Sequence, residues 1–379
     1  MKPFLLVAAD FVKTGGMDRA NFALAEYLAA RGGEVHLVGH SAGESLRRHP
    51  AVRWHGVRRP LGRDALGWGA LDRAGRRWAR RIRAQGGRVL VNGGNCLWGD
   101  LNWVHYLHAA YEAVPAQNGA RRAWSRWKHR RALRDERRAL QAAQLVIANS
   151  DHTRAGIVAH LNLPPERVHT VYYGNDPQRF RPATAAERQA ARRELGWSTE
   201  TPVALFIGAL GDRRKGFDTL FAAWNRLARQ GNWCARLMVV GRGAELAAWR
   251  RRTREQGLED AIQFLGFRPD VPRLLAAADL LVAPARYEAY GLGVQEALAC
   301  GLPAIVSAAA GVAERMPPEL APLLLANPES ADELTERLEW WRAHAPELAS
   351  GLCRVSGLLQ EYTWDAMART IVSLTGEAA

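Results

Sequence analysis

Apolar residues in this chain fall into short continuous runs, separated by stretches in which they recur every three or four positions. Phe4 to Ala9 is one such run; Ala20, Ala23, Leu24, Tyr27 and Leu28 then recur at helical spacing, and Glu34 to Val38 becomes apolar again. The pattern predicts strand, loop, helix, strand, with Gly32 and Gly33 stopping the helix. Arg88 to Val91 and Leu145 to Ala148 predict further buried strands. Strands apolar on both faces and alternating with helices form a parallel sheet covered by helices, so the first part of the chain is expected to be an α/β domain.

A polar, proline-bearing region from Leu163 through Gly174, Asn175 and Pro177 to Pro182 interrupts the pattern, which then starts over. Strands are predicted at Val203 to Gly208, Leu237 to Gly241, Ile262 to Gly266, Asp279 to Ala283 and Ala304 to Ser307. Between them lie predicted helices at Phe217 to Gln230, Ala244 to Gln256, Val271 to Ala278 and Leu292 to Cys300. This is a second doubly wound domain, whose ligand belongs at the carboxyl ends of its strands. The expected division is residues 1–172, residues 173–360, and a terminal helix within 361–379 that returns to the first domain. There is no fixed-period repeat.

Composition narrows the class. A chain of 379 residues, 48% hydrophobic, can bury the cores of two domains. Cys96, Cys234, Cys300 and Cys353 lack the short spacing of a zinc site or a redox pair, which suits reduced thiols and a cytoplasmic location. The opening apolar run is too short for a signal peptide, and no stretch approaches the roughly 18 apolar residues of a membrane span, so any membrane contact should be peripheral. The formal charge of +14 implies an anionic partner: nucleic acid, an acidic membrane or a polyanionic substrate.

The residues richest in chemistry lie between Ala283 and Pro303. Glu288 and Glu296 bracket a glycine-containing turn between a strand and a helix. Pro284 and Gly291 prevent a helix through Glu288, leaving it in the loop, while Glu296 sits one turn inside the helix. Carboxylates accept hydrogen bonds from sugar and ribose hydroxyls, and the free amides near Gly291 and Leu292 suit a phosphate. Upstream, Gly208-Ala209-Leu210-Gly211-Asp212-Arg213-Arg214-Lys215-Gly216 places three cations on a glycine-flanked loop before a helix, which suits a diphosphate.

The segment from Glu288 to Pro303 resembles glycosyltransferase family 4, whose pattern is Glu-x-Phe-Gly-Leu-x-x-x-Glu-Ala-x-Ala-x-Gly-x-Pro; Tyr290 alone departs, replacing the phenylalanine. The basic loop is similar to the family's Gly-Arg-x-x-x-x-Lys-Gly, with Lys215 matching the lysine and Ala209, after Gly208, in place of the arginine, one residue further from the lysine than in the pattern; that role is left to Arg213 or Arg214. Gly15-Gly16 looks like the family's amino-terminal loop, Gly266-Phe267 its base-contacting backbone, and His108, rather than His105, its cleft histidine. By this resemblance the chain has a GT-B architecture, two Rossmann-like doubly wound α/β domains with a cleft between them. Lys215, Glu288 and His108 would be catalytic. The donor would be held by Gly15, Gly16, Arg213, Arg214, Lys215, Gly266, Phe267, Glu288, Ala289, Tyr290, Gly291, Leu292 and Glu296, with Glu288 on the sugar and Glu296 on the ribose.

The implied reaction is transfer from a nucleotide diphosphate sugar, UDP- or GDP-linked, to a glycan, glycolipid or other lipid-linked acceptor of the cell envelope. Anomeric configuration is retained, and no metal or cofactor is needed because fixed cations neutralise the diphosphate. An epimerase or sugar phosphorylase shares the fold. A basic nucleic-acid-binding protein is the rival from another class; the intact glutamate pair argues against it, and no nucleic-acid partner is expected. Arg121 to Arg138 reads as a basic helix carrying Trp124 and Trp127, suited either to ordinary solvation or to an anionic membrane at the inner face of the cell membrane.

Overall fold

The computed structural model describes residues 2–62, 64–111 and 119–376. The chain separates into two compact units: Met1–Gly174 with Trp364–Ala379, and Asn175–Thr363.

In the first unit the strands are β1 (Phe4–Val7), β2 (Asp10–Phe11), β3 (Val35–Gly39), β4 (Ser41–Ala42), β5 (Val52–Gly56), β6 (Arg88–Asn92), β7 (Leu101–Val104), β8 (Leu145–Ala148) and β9 (Val168–Thr170). Seven of them form one sheet in the order β5-β3-β1-β6-β7-β8-β9, and β2 pairs separately with β4. All neighbours run parallel. The helix Gly16–Ala30 buries Ala20, Leu24, Tyr27 and Leu28, the positions whose spacing marked it as a helix. The chain's last helix, Trp364–Leu374, packs on it, burying Met367, Ala368, Ile371 and Val372.

The second unit repeats the plan. Strands β10 (Val203–Ile207), β11 (Arg236–Val240), β12 (Ile262–Gly266), β13 (Leu280–Ala283), β14 (Ala304–Ser307) and β15 (Leu324–Leu325) form a parallel sheet ordered β12-β11-β10-β13-β14-β15. The order reverses beside β10, the place where such sheets open a crevice at their carboxyl ends. The helix Phe217–Arg229 buries Phe217, Leu220, Phe221, Trp224 and Leu227, an i, i+3, i+4 stripe. At roughly 1.5–3 kcal/mol per large side chain, that stripe fixes the helix and the loop feeding it. Among the described residues no helix is long and apolar enough to cross a membrane.

Two histidines, one buried and one half-buried, make the first unit sensitive to acid. His105 lies beneath β7 with Trp103 and Tyr173, and burial pushes its pKa down to about 3. His55 on β5 stacks on Trp78 beside His36, and burial, reinforced by His36 and Arg81, lowers it to about 4. An unfolded histidine titrates near 6.5, so below that pH the unfolded chain binds more protons than the native one. Stability from these groups is present above pH 6.5 and is lost as pH falls towards 4. Tm should therefore be level just above neutrality and decline steadily from pH 6.5 to 4; a constant Tm over that window would contradict the desolvation of these rings.

Candidate active site

In the second unit the carboxyl ends of β10, β11, β12 and β13 bring together the residues singled out in sequence. After β10 the chain passes through Gly208 to Asp212 into a single 3₁₀ turn, Arg213–Lys215, and then into the helix at Phe217. Asp212 caps this turn by accepting the Arg214 amide at 3.1 Å, and its carboxylate also holds the Arg214 guanidinium, Nε lying 3.0 Å from both oxygens. Arg213 is the more exposed of the two arginines and lies 3.3 Å from Asp218. Gly216 follows with φ 68°, and a Cβ there would overlap the Pro284 carbonyl, so only glycine lets this turn lie against the end of β13. Gly243, after β11, meets the Leu210 carbonyl in the same way.

The loop 284–291 carries Glu288, whose Oε2 is 2.5 Å from Lys215 Nζ. The loop is fastened from behind, with Gly311 N donating to Glu288 O at 3.2 Å and Val312 N to Tyr290 O at 2.7 Å. Gly291 caps the helix Leu292–Ala299, whose first amides have no acceptor within the helix. Ala289 is buried, and Glu296, one turn in, is only 7% exposed. Gly266 closes β12, and Phe267 beyond it is 58% exposed with the Arg242 guanidinium 4.2 Å above its ring.

The remaining candidates belong to the first unit. Gly15, with φ 84°, caps the helix that opens at Gly16. The two histidines separate cleanly. His105 donates or accepts through Nδ1 with Tyr173 Oη at 2.6 Å, deep in the core. His108 is half-exposed, and its Nδ1 lies 2.9 Å from Glu136 Oε1. Glu136 is buried and also accepts the amides of His108 at 2.9 Å and Ala109 at 3.1 Å. A carboxylate only accepts, so Nδ1 carries the proton and Nε2 of neutral His108 is left as an acceptor. Sequence reading missed Glu136: it is an acid in an arginine-rich helix, 28 residues from its partner, with no local pattern to mark it.

A family model described as Glycosyltransferase Family 4 matches residues 14–179, and one described as Glycosyl transferases group 1 matches residues 201–343, which together take in most of the chain. The chain belongs to this family of glycosyltransferases. A D-inositol 3-phosphate glycosyltransferase 2 from Catenulispora acidiphila is 29% identical over 264 residues, 65% of this chain and 61% of that protein. A mannosylfructose-phosphate synthase from Agrobacterium fabrum is 31% identical over 181 residues, 45% of this chain and 39% of that protein. The chain thus spans about three-fifths or less of the length of these two curated relatives. Among solved structures, WaaG, a glycosyltransferase involved in lipopolysaccharide biosynthesis, superposes with TM-score 0.77 at 21% identity, covering 99% of this chain and 100% of that one. Anabaena Alr3699/HepE in complex with UDP-glucose gives TM-score 0.71 at 18% identity, covering 99% of each chain. The fold is GT-B, with two α/β units each built on a parallel sheet.

Within this glycosyltransferase the two departures from the family pattern have local consequences. Tyr290 is buried, and its hydroxyl donates to Gln295 Oε1. Ala209 lines a cavity of about 150 Å³ together with Asp212, Arg213, Asp218 and Trp249.

Proposed function

We propose that this glycosyltransferase is a retaining, metal-independent hexosyltransferase that uses a nucleotide diphosphate sugar, UDP- or GDP-linked, and a glycan or lipid-linked acceptor. The observation that carries this reading is the pairing of Lys215 with Glu288 at 2.5 Å, on the strand ends where Glu296 and the open end of the helix Leu292–Ala299 also lie. A cation and a sugar-binding carboxylate side by side suit the junction between a diphosphate and the hexose it carries.

In this reading Lys215, Arg213 and the amides at Leu292 and Gly293 stabilise the charge that grows on the diphosphate as its bond to the anomeric carbon breaks. Arg213 takes the place of the arginine missing at Ala209, since Arg214 is occupied by Asp212. The acceptor hydroxyl adds to the same face of the anomeric carbon, and its proton passes to the departing phosphate oxygen. Glu288 holds sugar hydroxyls and Glu296 the ribose, while the backbone at Gly266 and Phe267 meets the base and Gly15-Gly16 approaches the phosphate. A panel of UDP- and GDP-sugars in a thermal-shift assay tests the reading, because a bound donor raises Tm by mass action. If no nucleotide sugar raises Tm at millimolar concentration, the donor assignment is wrong.

His108 is assigned to the sugar, held for that purpose by Glu136. His108→Ala should cut transfer more than His105→Phe, per folded molecule, and Glu136→Gln should lower the rate by releasing the ring. Equal losses in both histidine variants would remove His108 from the sugar site.

The acceptor side of the reading rests on the helix Gly119–Ala142. Trp124 and Trp127 are 47% and 46% exposed and stack with ring centres 4.8 Å apart, and Arg122, Arg126, Lys128 and Arg130 are exposed around them; the Arg121 side chain lies outside the described residues. Indoles at headgroup level with arginines on phosphates would hold the enzyme to an anionic membrane bearing its acceptor. Wild-type protein should sediment with anionic liposomes at low salt, and replacing Arg122, Arg126, Arg130 and Arg134 with Glu should abolish it. Wild-type protein that stays in the supernatant would refute the membrane contact.

A further inference from the structure

We propose that Arg286 is a positioning residue for Lys215, and through it for the donor diphosphate; the inference rests on the reading of Lys215 given above. Arg286 lies just beyond β13, two residues before Glu288, with its side chain 11% exposed. Its guanidinium spends every donor it has. Nε donates to Glu329 Oε1 at 2.8 Å; Nη1 donates to the Arg213 carbonyl at 2.6 Å and to Asp218 Oδ1 at 2.7 Å; Nη2 donates to Asp218 Oδ2 at 3.0 Å and to Thr219 Oγ1 at 3.2 Å. Its own amide donates to the Arg214 carbonyl at 2.7 Å.

Three consequences follow from this geometry. Arg286 grips the backbone carbonyls of Arg213 and Arg214, the two residues before Lys215, so it sets the course of the turn from which the lysine side chain projects. The same loop supplies Glu288 to the far end of that side chain, so Lys215 is held at its root and at its tip by residues two apart. Finally, Asp218 and Glu329 balance the charge of Arg286, and its five N–H groups are all used, so it offers nothing to a diphosphate directly. A lysine at this position could keep the charge against Asp218, but not the planar fork that spans a carbonyl and two carboxylates.

The test measures inorganic pyrophosphate binding by calorimetry, together with Tm, for wild type, R286Q, R286K, K215A and the double variant R286Q/K215A. Pyrophosphate carries neither base nor sugar, so it probes the cation site alone. R286Q is expected to lose about tenfold in affinity while its Tm falls by only a few degrees, and R286K should lie between it and wild type. In the K215A background R286Q should cost nothing further, because residues acting through one group are not additive. Fully additive losses, or wild-type affinity in R286Q, would overturn the inference while leaving Lys215 in place. If R286Q does not fold, R286K decides: reduced affinity supports the positioning role, and wild-type affinity overturns it. If K215A binds pyrophosphate as tightly as wild type, the assignment of Lys215 to the diphosphate falls, and Arg286's role with it.

Discussion

Lys215→Ala is expected to lower turnover about a hundredfold, the scale seen when one preorganised donor is taken from a developing anion. Two effects act in the same direction. The variant removes the cation that would meet the diphosphate, and it leaves Glu288, now without its partner at 2.5 Å, as an uncompensated negative charge in the same site. The Lys215 side chain is partly exposed and lies in a short turn rather than the core, so the fold should survive and the loss should appear in the rate. Initial rates with and without a chelator complete the experiment. If fixed cations do the neutralising, as proposed, EDTA should leave wild-type turnover intact; a strict need for Mg²⁺ or Mn²⁺ would contradict the metal-independent mechanism.

The glutamate pair should divide its labour. Glu296→Ala removes a 7%-exposed carboxylate and should weaken donor binding by about tenfold to a hundredfold, the equivalent of a charge-assisted hydrogen bond worth roughly 1.5–3 kcal/mol. Glu288→Ala should instead slow transfer at saturating donor, because on the proposed reading the hydroxyls it holds belong to the group that moves. The contrast is read as a change in KM for one variant and in kcat for the other. Full activity in both would remove these residues from the site, whatever the fold.

How far the sequence spoke depended on how local the relevant contacts are. The strands Leu145–Ala148, Val203–Ile207 and Ala304–Ser307 fall where their apolar runs place them, because a strand buried on both faces has little choice of residues. The edge strand Val52–Gly56, with Arg53 and His55 in it, lacks such a run, and the helix Asp64–Ala84 is so rich in arginine, with Gly75 and Ala79 on its buried face, that its apolar stripe is faint. The two-residue strand Leu324–Leu325 is too short for any periodicity. Within the site, Glu288 and Glu296 stand in one motif and were legible. The partners that fix the geometry were not: Arg286 meets Asp218 across 68 positions, and only the folded chain brings them together. The histidines show the same limit: the resemblance chose His108 over His105, but Glu136 against His108 and the core around His105 came only from the fold.

The glycines at the strand ends constrain how this enzyme can change. Gly243 and Gly216 sit against the Leu210 and Pro284 carbonyls with no space for a Cβ, so any side chain there must displace main chain and not merely a neighbouring side chain. A saturation library across the site should therefore return only glycine at these two positions while accepting many residues at the exposed Ala209 and Phe267. If these loops hold the donor as proposed, new donor preferences would arise by redecorating a rim of side chains around a fixed backbone frame, so members of the lineage could change which sugar they transfer without rebuilding that frame.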